Sequence, residues 1–364
     1  MVKAPKAEQF IGVDDLGRLQ VRQEELLFAL KAANAPTTIF AIGMDGLAPR
    51  GAAVGMADQT AYQPLTTDTP LRIASNTKMF VAATALRLWE QGRLELDVGI
   101  SALADESLVR LLDERGYRTK SITVRQLLNH SAGLNDHADE EYIKGVLAEP
   151  ARVWTREEQV CLAIRASGPL GPPGEAFRYS DTGYILLGDI IERATGGTLA
   201  SAVRKELRFD NLALTSTWWE VAEPQPAMTE PRARQFFGGV EITNVNPTMD
   251  LYGGGGLAMS VRDLAAFTSA LFQGRVFEKP QTLVEMLCQG THQGAEGYRL
   301  GVALSVVGRA VCYSHAGFWG TVVYYSPQAE LAVAGFTTER NARPALVSLV
   351  ETLIARCNSA DKIG

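Results

Sequence analysis

The sequence predicts an α+β fold in which one domain is assembled from both ends of the chain. Three observations point that way. Strand-like apolar runs gather near the two termini, and helical apolar spacing dominates from about Leu71 to Leu287. In addition, 46% of the 364 residues are hydrophobic, enough for a substantial core. The expected division is a discontinuous sheet domain of residues 1–70 and 292–364, with a mainly helical domain of residues 71–291 inserted between its halves.

Residues 18–33 (RLQVRQEELLFALKAA) place apolar side chains at helical spacing and stop before Asn34-Ala35-Pro36, which predicts a helix. TTIFAIGM (37–44) and GAAVGMAD (51–58) surround a turn containing Gly and Pro, so they read as two arms of a hairpin. The clearest helical patterns are 76–91, 182–195 and 260–273. The run Gly253-Gly254-Gly255-Gly256 precedes the last of these. No Gly-Lys-Ser/Thr follows it, so a flexible bend is expected rather than a phosphate loop. Strands return at 298–307, 310–315, 320–327 and 331–338, and a helix over 343–357 closes the pattern.

Composition removes several classes of function. Thirty-five Lys and Arg against forty-one Asp and Glu give a net charge of −6, which argues against a nucleic-acid partner. The apolar content excludes disorder as the main state. No run approaches about 18 consecutive apolar residues, so no membrane span is expected. The opening MVKAPKAEQF is not followed by an apolar leader segment, and Cys161, Cys288, Cys312 and Cys357 lie far apart without a C-x-x-C pair. Both features favour reduced thiols in a cytoplasmic protein. His130, Asn135, Asp136 and His137 cluster in sequence, but their spacing matches no zinc-ligand pattern and reads as a structural loop. No metal or organic cofactor is expected. Trp218, Trp219, Phe236 and Phe237 either line an apolar pocket or pack in the core.

Three short motifs can carry chemistry. Ser75-Asn76-Thr77-Lys78 opens the helix at 76–91, and a three-residue spacing puts the Ser hydroxyl and the Lys ammonium on one face. A serine there lies in the positive field of the helix start, where an oxyanion is stabilised. Apolar neighbours are expected to lower the lysine pKa. The tetrad alone is weak, because Ser359-Ala360-Asp361-Lys362 repeats the spacing in a polar tail. Tyr179-Ser180-Asp181 precedes the helix at 182–195. A phenol near an ammonium can serve as general base, while Asp181 reads equally as a helix cap. His315-Ala316-Gly317 ends a strand, where a histidine can orient substrate or move protons, or simply be a satisfied structural residue.

In this order and at these separations the three motifs resemble the serine β-lactamase and penicillin-binding protein superfamily. The branch they look most like contains class C β-lactamases, D-alanyl-D-alanine carboxypeptidases, D-aminopeptidases and family VIII esterases. LRIASNTKMFVAATALRLWEQGRLELD, VRQLLNHSAGL, PPGEAFRYSDTGYILLGDIIERATG, NLALTSTWW and GGGGLAMSVRDLAAF extend the resemblance over about residues 20 to 340. It implies a β-lactamase/transpeptidase-like fold, an antiparallel sheet flanked by helices with an inserted helical domain and the active site in the cleft between. It further implies Ser75 as acylated nucleophile, Lys78 and Tyr179 as the pair that takes and returns its proton, and the backbone N–H groups of Ser75 and Phe318 as the oxyanion hole. Asp181, His315 and Gly317 are the accompanying substrate-site candidates, and the family needs no cofactor.

Two departures shape the expected substrate. Asp181 stands where the family usually has Asn, and a carboxylate beside Lys78 favours the charged lysine, moving the base role towards Tyr179. His315-Ala316-Gly317 replaces Lys-Thr-Gly, which removes a permanent cation and weakens recognition of a β-lactam carboxylate. The expectation is therefore a serine hydrolase of a small ester, amide or short peptide, of esterase, D-amino acid amidase or D-aminopeptidase type. A β-lactamase or D-alanyl-D-alanine carboxypeptidase is the enzymatic alternative, and a non-catalytic ligand-binding or sensor homologue the alternative from another class. The sequence leaves the oligomeric state open.

Overall fold

The computed structural model of the protein describes residues 11–13, 19–21, 26, 30, 33–43, 49–166 and 168–359. Its central feature is a six-stranded sheet formed by β1 (Thr37–Ile42), β2 (Arg50–Val54), β3 (Ala303–Val307), β4 (Ala310–Gly317), β5 (Thr321–Ser326) and β6 (Leu331–Thr337). The order is β3-β4-β5-β6-β1-β2 and every neighbour is antiparallel, so the hairpin from the start of the chain adds to the last strand of a meander from its end. Ala334 of β6 lies opposite both Phe40 and Val323, which fixes the register at the seam.

Every residue of β6 is buried, which explains its unbroken apolar run LAVAGFT. One face, through Phe40, Val323, Ala334 and Phe336, joins a core shared with Phe267 of the helix Val261–Phe272. The other face, through Ile39, Val322 and Val333, packs on Leu346, Val350, Leu353 and Ile354 of the helix Arg343–Ser359. Leu26 and Leu30, both helical, are buried in that second layer.

The segment between the two halves contains a helix, Thr77–Glu90, in which every side chain except Trp89 is buried. Such a helix lies inside the protein rather than on it. Phe80 stacks on Phe267 with ring centroids 3.7 Å apart, and each ring so buried contributes about 2–3 kcal/mol. The insert is not helices alone. Leu71–Arg72, Leu257–Met259 and Thr217–Trp219 form a three-stranded sheet with Leu257–Met259 in the middle. Each strand has only two or three residues, too short for a period-2 signature. Trp218 and Trp219 lie in it, buried, so the core alternative holds for both.

Several boundaries differ from expectation. Leu19–Val21, read as the start of a helix, pairs instead with Ile11–Val13, because a partner strand outweighs local periodicity. The strand expected over 51–58 breaks at Gly55, whose φ of +88° turns the chain into a separate ribbon, Met56–Asp58 with Gln63–Pro64. The strand expected from 298 begins at Ala303, with Tyr298 and Ala303 forming an isolated bridge. Lys362 of the second Ser-x-x-Lys tetrad lies outside the described residues.

Candidate active site

Strand pairing brings the motifs together. Leu257–Met259 runs antiparallel to Leu71–Arg72, and Ile73 N–H donates to Leu257 O at 3.1 Å, so the chain after Arg72 and the glycine run before Leu257 emerge at the same end. Ser75 sits there in a single 3-10 turn, Ala74–Asn76, that leads into Thr77–Glu90. The end of β4 abuts the same turn. A Cβ on Gly317 would stand 2.2 Å from Ile73 O and 2.0 Å from Thr321 Oγ1, so only glycine permits that approach. Asn76 Nδ2 fastens the contact by donating to Ile73 O and to Thr321 Oγ1.

Lys78 is fully buried at the centre of the site. Its Nζ donates to Ser75 Oγ at 3.1 Å and to Gly254 O at 2.7 Å, and it forms an ion pair with Asp181. The glycine run is therefore a packed turn rather than a flexible bend. A Cβ on Gly253 would stand 2.3 Å from Tyr184 O, and φ there is +129°. Asp181 is the first residue of the helix Asp181–Thr195, and the cap is Ser180, whose Oγ accepts from Gly183 N–H at 3.2 Å. Asp181 thus places its charge in the favourable field of the helix start and serves the site rather than the cap.

The electrostatics correct one expectation. Burial does pull the Lys78 pKa down, but Asp181 above all, with smaller contributions from Tyr179 and Asp250, outweighs it and holds the ammonium above the ordinary lysine range. Asp181 is pushed up by burial, yet Lys78 outweighs this and holds it below the usual carboxylate range. For Tyr179, burial is the largest effect and raises the phenol to about 12, opposed by Lys78 and reinforced by Asp181. Tyr179 as a residue is 39% exposed, so solvent moderates that rise. The resting site therefore holds an ammonium, a carboxylate and a neutral phenol.

His130, expected only in a structural loop, supports this phenol. Its ring packs on Tyr179 with centroids 4.3 Å apart, and its Nδ1 accepts from Ser180 N–H at 3.2 Å. Burial and Lys78 keep it neutral, well below the usual histidine value. His315 is also neutral, pushed down to about 3 by burial first and Lys78 second. Its Nε2 meets Tyr298 Oη at 3.0 Å, and it does not line the cavity. Phe318 does line it, and its backbone N–H has no acceptor among the described residues. Ser75 N–H lies in a first turn, where helix geometry supplies no acceptor. Ser75 and Phe318, the two residues named for the oxyanion hole, both line the cavity.

The motifs face a cavity of about 240 Å³. Ser75, Tyr179 and Asp181 line one side, while Tyr142, Ile143 and Trp319 supply apolar wall. Three polar lining residues escaped the motif reading: His137, Asp250 and Arg343. Asp250 lies near the glycine run in sequence, which was the only signal. Nothing local marks Arg343, which reaches the cavity from the closing helix and donates from Nη1 to Gly317 O at 2.9 Å. Phe237 packs on Phe318 at 5.6 Å, outside the cavity lining. Among the described residues no group of three or more His, Cys, Asp or Glu is arranged to hold a metal ion, and no helix is long and apolar enough to cross a membrane.

The chain resembles known proteins in sequence and in fold. The family model described as Beta-lactamase matches residues 32–349. Esterase EstB of Burkholderia gladioli is 35% identical over 178 residues, covering 48% of this chain and 44% of that protein. A D-aminopeptidase of Brucella anthropi is 28% identical over 172 residues, covering 47% of this chain and 31% of that protein. Matches to the curated relatives named first thus span about half of their length or less. A D-stereospecific amidohydrolase from Streptomyces sp. superposes with a TM-score of 0.74 at 25% identity, over 87% of this chain and 94% of that one. The D-amino acid amidase from Ochrobactrum anthropi SV3 gives a TM-score of 0.74 at 24% identity, over 90% and 95%, a likeness of fold.

Proposed function

The chain belongs to the Beta-lactamase family, and on that premise we propose that it is a serine hydrolase acting through an acyl-enzyme on Ser75. Its substrates are small esters or amides, of the esterase, D-amino acid amidase or D-aminopeptidase type. One observation carries the proposal: Lys78 Nζ bridges Ser75 Oγ and the Asp181 carboxylate at the wall of a cavity large enough for a small acyl group.

In the acylating form one proton has left the Lys78–Tyr179 pair. Asp181 keeps Lys78 charged, so that proton comes from Tyr179. The phenolate accepts the Ser75 Oγ proton as Oγ bonds to the substrate carbonyl carbon, while the Lys78 ammonium steadies the negative charge. The Ser75 and Phe318 N–H groups receive the carbonyl oxygen of the tetrahedral intermediate. Tyr179 then gives its proton to the departing amine or alkoxide. Water attacks the acyl-enzyme in the same way, losing a proton to Tyr179, which returns it to Ser75 Oγ. His130 and His315 act as positioning residues, the first on Tyr179 and the second by tying the end of β4 to Tyr298.

A fluorophosphonate probe tests the assignment. It is expected to label Ser75, and Ser75→Ala is expected to abolish both labelling and nitrophenyl ester hydrolysis. Intact labelling of that variant sinks the proposal. Arg343 favours keeping the second reading, a β-lactamase or D,D-carboxypeptidase, because it returns a cation to the cavity beside the third motif. A β-lactam assay run beside the nitrophenyl ester assay separates the two. Cys161 and Cys288 are free thiols, which fits a reducing compartment such as the cytoplasm.

A further inference from the structure

The acylation chemistry employs Asp181 but leaves a second carboxylate of the same cavity unused. Asp250 ends the short 3-10 turn Pro247–Asp250, and its carboxylate lies over the glycine run. A Cβ on Gly255 would stand 2.0 Å from Asp250 Oδ2, and one on Gly254 would stand 3.0 Å from Oδ1. The absence of side chains at both positions is what leaves room for this carboxylate.

Asp181 is neutralised by Lys78, but Asp250 has no such partner. Within the described residues no hydrogen bond or ion pair reaches its carboxylate. A half-buried carboxylate without a partner is costly. Burial and then Asp181 raise its pKa to about 7, with Glu220 adding to the rise, while Lys78 and Arg72 oppose it. Arg72 stands behind it, where Asp250 and Glu220 also line a small cavity of about 10 Å³, and its buried Nη1 lacks a partner. On its open side Asp250 faces the main cavity, where Met249, Tyr142 and Trp319 also line the wall. Arg343, the remaining cation of that cavity, is engaged instead by Gly317 O, to which its Nη1 donates at 2.9 Å.

The position fits one kind of ligand. Lys78 Nζ holds Ser75 Oγ at 3.1 Å and Gly254 O at 2.7 Å, and Asp250 rests against Gly254, so carboxylate and nucleophile border one small acyl group. A cation there would meet an unpaired carboxylate with aromatic walls, which favours an ammonium. We propose that Asp250 is the ammonium subsite of this cavity, selecting substrates whose acyl half carries a free primary amine beside an apolar side chain. The proposal rests on the hydrolase reading and narrows it to unblocked amino acid amides or esters.

Calorimetric binding to the Ser75→Ala variant at pH 7 tests it. The probes are phenylalanine amide, as each enantiomer, and 3-phenylpropanamide, which lacks only the amine. The tighter enantiomer is expected to bind at least tenfold more strongly than the amine-free amide. In the double variant carrying Asp250→Asn, that advantage is expected to fall within twofold. Equal affinities, no binding of the amine-bearing ligand, or an advantage that survives Asp250→Asn each overturn the proposal. The two-ligand comparison uses protein with Asp250 intact, so it decides the matter even if the double variant does not fold. Hydrolysis of nitrophenyl butyrate by the unaltered protein, a substrate without an amine, reports separately on the hydrolase reading.

Discussion

Asp181→Asn is the perturbation that most directly tests how this site is charged. The carboxylate does two things at once: it holds the Lys78 ammonium in place and it opposes ionisation of Tyr179. Removing its charge makes loss of a proton from the Lys78–Tyr179 pair easier, whichever member releases it. Two unit charges about 4 Å apart at an effective dielectric of about 20 interact by about 4 kcal/mol, which corresponds to roughly 3 pK units. The Asn dipole and the remaining Asp250 charge reduce that, so a fall of about 2 units is expected. The assay is kcat/KM for a nitrophenyl ester across pH. The unaltered protein should gain activity towards alkaline pH, following a phenol near 12, and the rising limb of Asp181→Asn should lie about 2 pH units lower. A limb displaced by less than half a unit, or displaced upwards, refutes the reasoning. Stability supplies a second readout. Lys78, raised above its unfolded value, stabilises at pH below the unfolded value and loses this as pH climbs through the folded one. Asp181, depressed, stabilises above its unfolded value of 3.8 and loses this as pH falls through the folded one. Between these limits Asp181→Asn should cost about 3 kcal/mol in urea unfolding, and the cost should shrink on acidification below about pH 4.

Other outcomes follow from the same geometry. Gly317→Ala sets a methyl group against Ile73 O and should push β4 from the Ser75 turn, lowering kcat/KM at least about 100-fold with the circular dichroism spectrum retained. Activity within threefold of the unaltered protein contradicts that contact. Arg72→Met removes the donor to Glu220 Oε2 at 2.7 Å and to Val245 O at 2.5 Å, both buried, and should cost about 3 kcal/mol in urea unfolding. A loss below about 1 kcal/mol speaks against an essential role for that network. For Asp250, a pKa raised in the folded state means stability that is present at low pH and lost as pH rises from 3.8 to about 7. Asp250→Asn should therefore raise the Tm at pH 7.5 by about 3 °C, and little at pH 4, in differential scanning calorimetry. A lowered Tm at pH 7.5 counts against an unpaired carboxylate.

Legibility in the sequence tracked the range of the interactions involved. Helices such as Thr77–Glu90 and Asp181–Thr195 announce themselves because their apolar spacing and caps are local. The three-stranded sheet stayed hidden, because Leu71–Arg72 acquires its strand character only from Leu257–Met259, far along the chain. Ser75 with Lys78 was readable as a spacing, and the chemical consequence of Asp181 beside Lys78 could be foreseen once the two were taken as neighbours. His130 and His137 fit no ligand pattern and so read as loop residues. Their roles beside Tyr179 and in the cavity wall come from packing alone.

The sequence by itself determined the residue types that do chemistry, their order, and an α+β fold with strands from both ends, because periodicity, caps and motif spacing are properties of neighbouring residues. Tertiary structure decided the charges and the cavity. The lysine that burial alone would neutralise stays charged because Asp181 lies against it. Asp250 and Arg343, about a quarter of the chain apart, line one cavity because a buried sheet and a glycine turn converge on Ser75. Coulomb energies and desolvation depend on distances across the fold, and no local pattern encodes those distances.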